Sequence, residues 1–360
     1  MKEIYMELAL DLAQKALGKT SPNPLVGAVV VNNNKIVGQG YHVRAGNPHA
    51  EKMALKEAGE KAQGADLYVT LEPCNHYGRT PPCTEAIIEA KIKNVYIATL
   101  DPNPLVAGKG VKRLKDEGIN VVVGIKEKEA QLLNEVFFKY ITTGLPFVAL
   151  KAACSLDGKI ATREGHSQWI TGEKAREYGH KLRNTYDAIM VGIGTVLADD
   201  PRLTCRLENG RDPIRIIIDS KLSISPDAQI LNLKSSVPTL IATTQGAPLI
   251  KQKELAKKAE VLIVNEGDKV DILQLLKILG QREITSILVE GGATLNGTLV
   301  NQRLIDKFYL FYAPILIGGL AAPGFMGGIG CARLENALKL KNITIQTIGS
   351  DFLITGYPDV

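Results

Sequence analysis

The sequence predicts an α/β protein built as two consecutive domains. Its 360 residues, 45% hydrophobic and 22% charged, exceed one domain of roughly 100 to 200 residues. Short apolar runs alternate with windows of helical periodicity along the chain. A helical stretch stops at Gly144-Leu145-Pro146, and a new apolar run begins at Phe147. The seam is placed near 145, giving domains 1–144 and 145–360.

Ile4, Leu8, Leu12 and Ala16 share one face of a helix over 4–17, which Gly18 stops. Leu25 to Val31 and Lys35 to Gly38 flank Asn32-Asn33-Asn34, a hairpin signal. Strands follow at 67–71, 95–100 and 120–123, with helices at about 49–60, 84–91 and 109–117. The second half reads as strands at about 147–150, 187–191, 214–219, 238–242, 260–264, 285–290, 308–313 and 352–356. Helical windows such as 172–183, 249–258 and 270–279 separate them. No repeat of 20 to 50 residues and no low-complexity tract is present, which excludes a solenoid.

The formal net charge is +5, with basic residues scattered and aromatics at 5%, so neither a nucleic-acid tract nor a base-stacking platform is expected. A small phosphorylated substrate suits that excess better. Five cysteines do not form a disulfide framework, and the first residues lack the apolar core of a signal peptide, so a reducing cytoplasm is expected. Phe308 to Ala332 carries no charge and is long enough to span a bilayer. Pro314, Pro323, Gly318-Gly319 and Gly327-Gly328 would break a spanning helix, so it reads as a buried strand followed by a loop, with no membrane partner.

The chemistry of the first half gathers around His49-Ala50-Glu51, which opens a helix behind Pro48, and Leu71-Glu72-Pro73-Cys74, which follows a strand. Cys83 comes next in a C-x8-C spacing. Taken singly, His49 reads as a surface helix residue and the cysteines as buried thiols. Together, one imidazole and two thiolates make the open ligand set of a catalytic Zn²⁺, one ion per chain, with the fourth position left for water. Glu51 is then free to take a proton from that water and pass it to a ring nitrogen and a leaving amine. The H-x-E and P-C elements match the zinc nucleobase deaminases, with the second cysteine displaced from C-x-x-C.

Ser21-Pro22-Asn23-Pro24-Leu25-Val26-Gly27-Ala28, the His49 and Cys74–Cys83 segments and Asp101-Pro102-Asn103-Pro104 resemble the deaminase half of the bifunctional riboflavin-biosynthesis deaminase/reductase family. The resemblance implies a cytidine-deaminase-like α/β/α domain. It also implies His49, Cys74 and Cys83 as ligands, Glu51 as proton shuttle, and Asn23, His42, His76, Arg79, Asp101 and Asn103 as substrate contacts. Relatives often carry Lys at position 79; Arg keeps the charge and offers a forked grip. Without the family, Asn23, Asp101 and Asn103 read equally as turn residues.

In the second half, glycine loops follow the strands at 187–191 and 285–290, although no G-x-G-x-x-G fingerprint is present. Alone, each reads as a tight turn. With Lys151 to Lys159, Ser167 to Thr171 and Ala198 to Arg206, they resemble the reductase half of the same family, which implies a dihydrofolate-reductase-like α/β domain using NADPH. The resemblance places Ala153, Trp169, Thr195, Asp199, Ser220 and the loop of Gly292, Ala293, Thr294, Leu295, Asn296, Gly297 and Thr298 at the cofactor. It places Ser167, Arg183, Leu203, Arg206 and Glu290 at the substrate. Forked donors such as Arg183 and Arg206 suit a sugar phosphate. From the residues alone, Trp169 reads as core packing, Arg183 as a complement to its helix dipole, and Asp199 as a cap. Lys151 and Asp199 are candidates for orientation or proton handling. Ile315 departs from the family, where a basic residue is expected, and Cys154, Cys205 and Cys331 have no role beyond packing.

The implied function is hydrolytic deamination of a diaminopyrimidinone ribosylamine phosphate to its uracil form, followed by NADPH-dependent reduction of the ribosyl to a ribityl group. The family also implies a homo-oligomer. Two other classes make different demands. A polynucleotide deaminase needs a basic run, and a structural zinc protein needs a fourth protein donor.

Overall fold

The computed structural model describes residues 2–77, 81–103 and 106–359. The chain divides into two compact units, Met1–Leu145 and Pro146–Val360. The first carries strands β1 (Gly27–Asn32), β2 (Lys35–Tyr41), β3 (Asp66–Leu71), β4 (Asn94–Thr99) and β5 (Asn120–Val123). Its helices are α1 (Lys2–Gln14), α2 (Ala50–Ala58), α3 (Cys83–Glu89), α4 (Lys109–Asp116), α5 (Glu127–Leu133) and α6 (Glu135–Thr143).

The sheet order is β2-β1-β3-β4-β5, with β3, β4 and β5 parallel and the hairpin antiparallel. Side chains alternate across a strand, so β1 feeds two cores. Ala28 and Val30 join Ala50, Ala54, Ile87 and Leu114 on one face, while Val29 and Val31 join Met6, Ala9, Leu12 and Ala130 on the other. Burial on both faces explains why these strands read as continuous apolar runs. The expected α/β/α layering is found. Gly40 lets the first turn of α2 lie directly on β2: a Cβ there would fall 2.6 Å from Met53 Cβ and 2.7 Å from the Ala50 carbonyl oxygen.

The second unit carries β6 (Phe147–Ser155), β7 (Ala188–Gly192), β8 (Ile214–Ile218), β9 (Thr239–Thr244), β10 (Glu260–Asn265), β11 (Ser286–Val289), β12 (Lys307–Ala313), β13 (Leu340–Ile348) and β14 (Asp351–Pro358). The helices are α7 (Glu173–Thr185), α8 (Ile193–Asp199), α9 (Leu249–Leu255), α10 (Ile272–Gln281) and α11 (Ala293–Asn301). The nine strands run β10-β9-β8-β7-β11-β6-β12-β14-β13. All neighbours from β10 to β12 are parallel, and the last two strands are antiparallel. From central β6 the chain goes to one side for β7 to β10 and returns to the other for β12. The carboxyl ends of β6, β7 and β11 therefore border the crevice where such sheets bind ligands.

Several elements differ from the sequence expectation. α8 begins directly at Gly192, where a glycine loop was expected, because Gly192 has extended backbone and serves as its N-cap. β6 runs to Ser155 instead of ending at 150, which puts Lys151 and Ala153 on one face of a strand. β13 was not expected at all. It is exposed on both faces, and its Ile343 and Ile345, which alternate with Thr344 and Gln346, stay exposed; its order comes from pairing with β14. The uncharged stretch from 308 begins as β12 and continues as a loop. No helix among the described residues is long and apolar enough to cross a membrane.

Candidate active sites

Three element ends build the site of the first unit. His49 is the N-cap of α2, Cys74 lies just beyond β3, and Cys83 starts α3 behind Pro82. His49 Nδ1 lies 3.2 Å from Cys83 Sγ and 3.5 Å from Cys74 Sγ, and the three donors lie within 4.8 Å of one another. A tetrahedral zinc with Zn–S of about 2.3 Å and Zn–N of about 2.0 Å needs donors about 3.5 to 3.8 Å apart, so this set fits the ion. Among the described residues no fourth protein donor joins the group. The set is the open one.

The two ligand thiols and Glu51 perturb one another. Hydrogen bonding from Cys83 holds the Cys74 thiol far below its usual range against the opposing effect of burial, while Cys74 and burial push Cys83 up. The Cys83 backbone N–H also donates to Cys74 Sγ at 3.3 Å. Glu51 is buried in the first turn of α2, and its Oε2 has no hydrogen-bond partner among the described residues. Burial, then the charge of Cys74, raises its carboxyl. A buried, unpartnered carboxylate oxygen is costly unless something else engages it.

Around this centre, the His42 ring meets the His49 ring edge-on with centroids 5.6 Å apart. Its Nδ1 donates to the Pro48 carbonyl oxygen at 3.2 Å, which leaves Nε2 to accept from Asn23 Nδ2 at 3.1 Å. Asp101 Oδ1 accepts the Asn103 N–H at 2.8 Å, and burial raises the Asp101 carboxyl. His76 is exposed. Arg79 lies outside the described residues, as does Pro104.

In the second unit a charged cluster closes over the carboxyl end of β11. Glu290 follows that strand and takes the whole fork of Arg183: Nε donates to Oε1 at 2.8 Å and Nη2 to Oε2 at 3.0 Å. Arg183 Nη1 donates to the Thr204 carbonyl oxygen at 3.0 Å, and Lys151 Nζ reaches Glu290 Oε2 at 3.4 Å. Burial alone would raise the Glu290 carboxyl, but Arg183 and Lys151 more than offset it and hold it well below the ordinary range. Arg183, expected as a phosphate fork, thus has both prongs on Glu290. Arg206 is exposed, and Leu203 is buried with φ 53°.

The cofactor candidates gather at neighbouring strand ends. Gly292 is the N-cap of α11, and a Cβ on it would lie 3.5 Å from Thr195 Oγ1 in the first turn of α8. Asp199 ends α8 and accepts from Ser167 Oγ at 3.2 Å. Trp169 is 63% exposed beneath the Arg176 guanidinium, 4.8 Å from the ring centroid. This is not a core residue. Ala153 is half-buried in β6. Ser220 follows β8, and its Oγ accepts the Val270 N–H at 3.0 Å. The segment 292–298 is a helical turn and not a loop. Thr294 is exposed, Leu295, Asn296 and Gly297 are buried, and the Thr298 hydroxyl donates to the Thr294 carbonyl oxygen at 2.9 Å.

Comparison with known proteins finds matches for both halves of the chain. The model of the cytidine and deoxycytidylate deaminase zinc-binding region matches residues 1–99, and that of the RibD C-terminal domain matches residues 146–354. The riboflavin biosynthesis protein RibD of Bacillus amyloliquefaciens is 46% identical over 359 residues, covering 99% of this chain and 96% of its own length. The chain belongs to the RibD family. The corresponding protein of Escherichia coli strain K12 is 43% identical over 97% of both chains. The structure of Acinetobacter baumannii RibD superposes with a TM-score of 0.89 at 39% identity, covering 100% of this chain and 99% of that one. A deaminase/uracil reductase of Thermotoga maritima gives 0.88 at 40% identity, covering 99% and 98%. As a member of this family, the chain is a bifunctional enzyme with a zinc-binding deaminase domain and a dihydrofolate-reductase-like, NADPH-using reductase domain.

Two residues near these sites escape the sequence reading. Glu72 stands in the quoted Leu71-Glu72-Pro73-Cys74 run with no role assigned, yet a carboxylate at a buried strand end was a signal in itself. His180 lies one turn before Arg183, on the same face of α7. Its Nδ1 accepts the Arg206 N–H at 3.4 Å, and its carbonyl oxygen accepts Cys205 Sγ at 3.6 Å. Cys154 is buried, its thiol pushed up to about 12 by burial and then Asp157, and Cys331 is exposed.

Proposed function

We propose that the domain ending at the seam, 1–144, deaminates 2,5-diamino-6-(5-phosphoribosylamino)pyrimidin-4(3H)-one to 5-amino-6-(5-phosphoribosylamino)uracil. The domain 145–360 then reduces that product to 5-amino-6-(5-phosphoribitylamino)uracil. The observation that carries this reading is the open three-donor metal site beside the unpartnered carboxylate oxygen of Glu51.

His49, Cys74 and Cys83 would hold the zinc, which when bound would supply Lewis-acid chemistry that brings the acidity of water near neutrality. Glu51 is placed to hold and move a proton between water, the ring nitrogen and the departing amine. Asn23 and His42, linked by their hydrogen bond, bind substrate with His76, Arg79, Asp101 and Asn103. In the reductase, NADPH supplies the hydride, and the protein supplies orientation and charge. Thr195, Asp199, Ala153, Trp169, Ser220 and the turn at 292–298 bind that cofactor. Ser167, Leu203, Arg206 and Glu290 contact the substrate, with Arg183 acting through Glu290. Lys151, between Glu290 and the Phe311 ring 5.9 Å away, orients the ribosyl end. The enzyme works in the cytoplasm as a homo-oligomer, with no nucleic-acid or membrane partner.

The test is mass spectrometry of purified enzyme given the diaminopyrimidine substrate. Without NADPH the mass rises by about one unit as amine becomes hydroxyl; with it, by about two more as hydride and proton add. Glu51→Ala should abolish the first step and leave reduction of supplied uracil substrate intact. Surviving deamination would remove Glu51 from its role.

A further inference from the structure

Glu72 is absent from both ligand and substrate roles, although it stands two residues before a zinc ligand. Its side chain is 3% exposed and accepts three backbone N–H bonds from one later segment. Oε2 accepts from Asp101 at 3.3 Å and Gly108 at 2.9 Å, and Oε1 accepts from Val111 at 3.1 Å. Gly108 is the N-cap of α4, so the carboxylate also complements the positive end of that helix. Hydrogen bonds to an ionised acceptor are roughly twice as strong as neutral ones.

The register of the sheet explains why a residue of β3's exit loop can hold this segment. Leu71 of β3 pairs with Thr99 of β4 in parallel, so the chain leaves both strands side by side toward the metal. Residues 72–74 and 100–103 are neighbours there. Gly110 keeps the contact close: a Cβ on it would fall 2.1 Å from the Pro73 carbonyl oxygen. Asp101, fixed through its N–H by Glu72, in turn fixes Asn103 through Oδ1. The order of restraint runs from Glu72 to Asp101 to Asn103.

We propose that Glu72 is a positioning residue of the deaminase, holding Asp101 and Asn103 where they meet the substrate and touching neither substrate nor metal. This rests on the reading of Asp101 and Asn103 as substrate contacts. Glu72→Gln replaces one acceptor oxygen by an amide that confronts backbone N–H donors, so the segment loses at least one restraint while the side chain keeps its size.

The experiment uses the full chain loaded with zinc and compares Glu72→Gln, Asn103→Ala and the double variant. Deaminase kcat and KM, zinc content, and reduction of supplied uracil substrate are measured for each. Glu72→Gln should raise the deaminase KM at least about tenfold with kcat within about twofold, the signature of lost uniform binding. Zinc should stay at one per chain and reduction should be unchanged. The double variant should be no worse than the worse single one, because both act through one contact. An unchanged KM in Glu72→Gln beside a raised KM in Asn103→Ala overturns the proposal and leaves the contact reading standing. An unchanged KM in both overturns the contact reading as well. Loss of zinc with kcat assigns Glu72 to the metal loop and also overturns it. Should Glu72→Gln not fold, Glu72→Asp keeps the charge but withdraws it by one methylene, and the same KM rise is required.

Discussion

Replacing Arg183 by Met removes both forked donors from Glu290 and leaves the carboxylate facing Lys151 alone at 3.4 Å. The side chains of Arg183 and Glu290 are 14% and 12% exposed, so little solvent is available to take over. A charge pair at about 4 Å is worth about 4 kcal/mol at an effective dielectric near 20. Breaking one side of a buried pair costs about 3–5 kcal/mol, because the remaining charge is stranded. The sign with pH follows from the direction of the shift. Glu290 is held below its ordinary value of 4.5, so its contribution is fully present above that pH and is lost only as pH falls toward the folded-state value. At neutral pH the whole loss is therefore seen. Urea unfolding can be followed by the fluorescence of Trp169, the single tryptophan, which reports the second unit. With a slope of about 2–3 kcal/mol/M, the midpoint should fall by about 1–2.5 M. The double variant Arg183→Met/Glu290→Gln relieves the stranded carboxylate and should recover only part of the loss, because Lys151 then lacks its carboxylate partner. A midpoint within about 0.3 M of wild type in the single variant would refute the reasoning, since that corresponds to under about 1 kcal/mol.

Two further outcomes follow from the same unit. The imidazole of His180, pushed down to about 4 by burial and then by Arg183 and Arg206, stays neutral in the folded chain between that value and 6.5, where the unfolded chain takes up a proton. This residue therefore adds stability as pH rises through that window. An NMR titration of its ring should show a midpoint near 4, and one near 6.5 would contradict the placement. Gly297→Ala would put a Cβ 2.1 Å from the Gly327 carbonyl oxygen and drive α11 from the loop it packs on. A stability loss of about 1–3 kcal/mol is expected, with a raised KM for NADPH, because Gly292 and Ala293 open the same helix. Unchanged NADPH kinetics would separate that turn from the cofactor.

Much of the site was legible in the sequence because metal ligation needs particular atoms whatever the fold. His49, Cys74 and Cys83 read as an open zinc set from residue type and spacing, and Glu51 followed as the carboxylate left over. The parallel strands were equally legible, since burial on both faces demands the continuous apolar runs seen at 67–71 and 187–191. β13 was not, because its order comes from backbone pairing with β14 at the sheet edge and the brief alternation of Ile343 and Ile345 with Thr344 and Gln346 faces no core. Nor was the length of β6, where the charged Lys151 interrupts an apolar run that the strand nevertheless continues.

What the tertiary structure alone decided was which polar groups face each other. Sequence offered Arg183 as a forked donor and Glu290 as a strand-end carboxylate, separated by 107 positions; folding brought them into one ion pair and so changed the meaning of both. It likewise turned Glu72 from a residue beside a ligand into the acceptor for a segment 29 to 39 positions away. Residue chemistry and periodicity are local properties that a chain carries unfolded. Partnership between buried charges is not, because it exists only once water has been removed and the strands have set the distances.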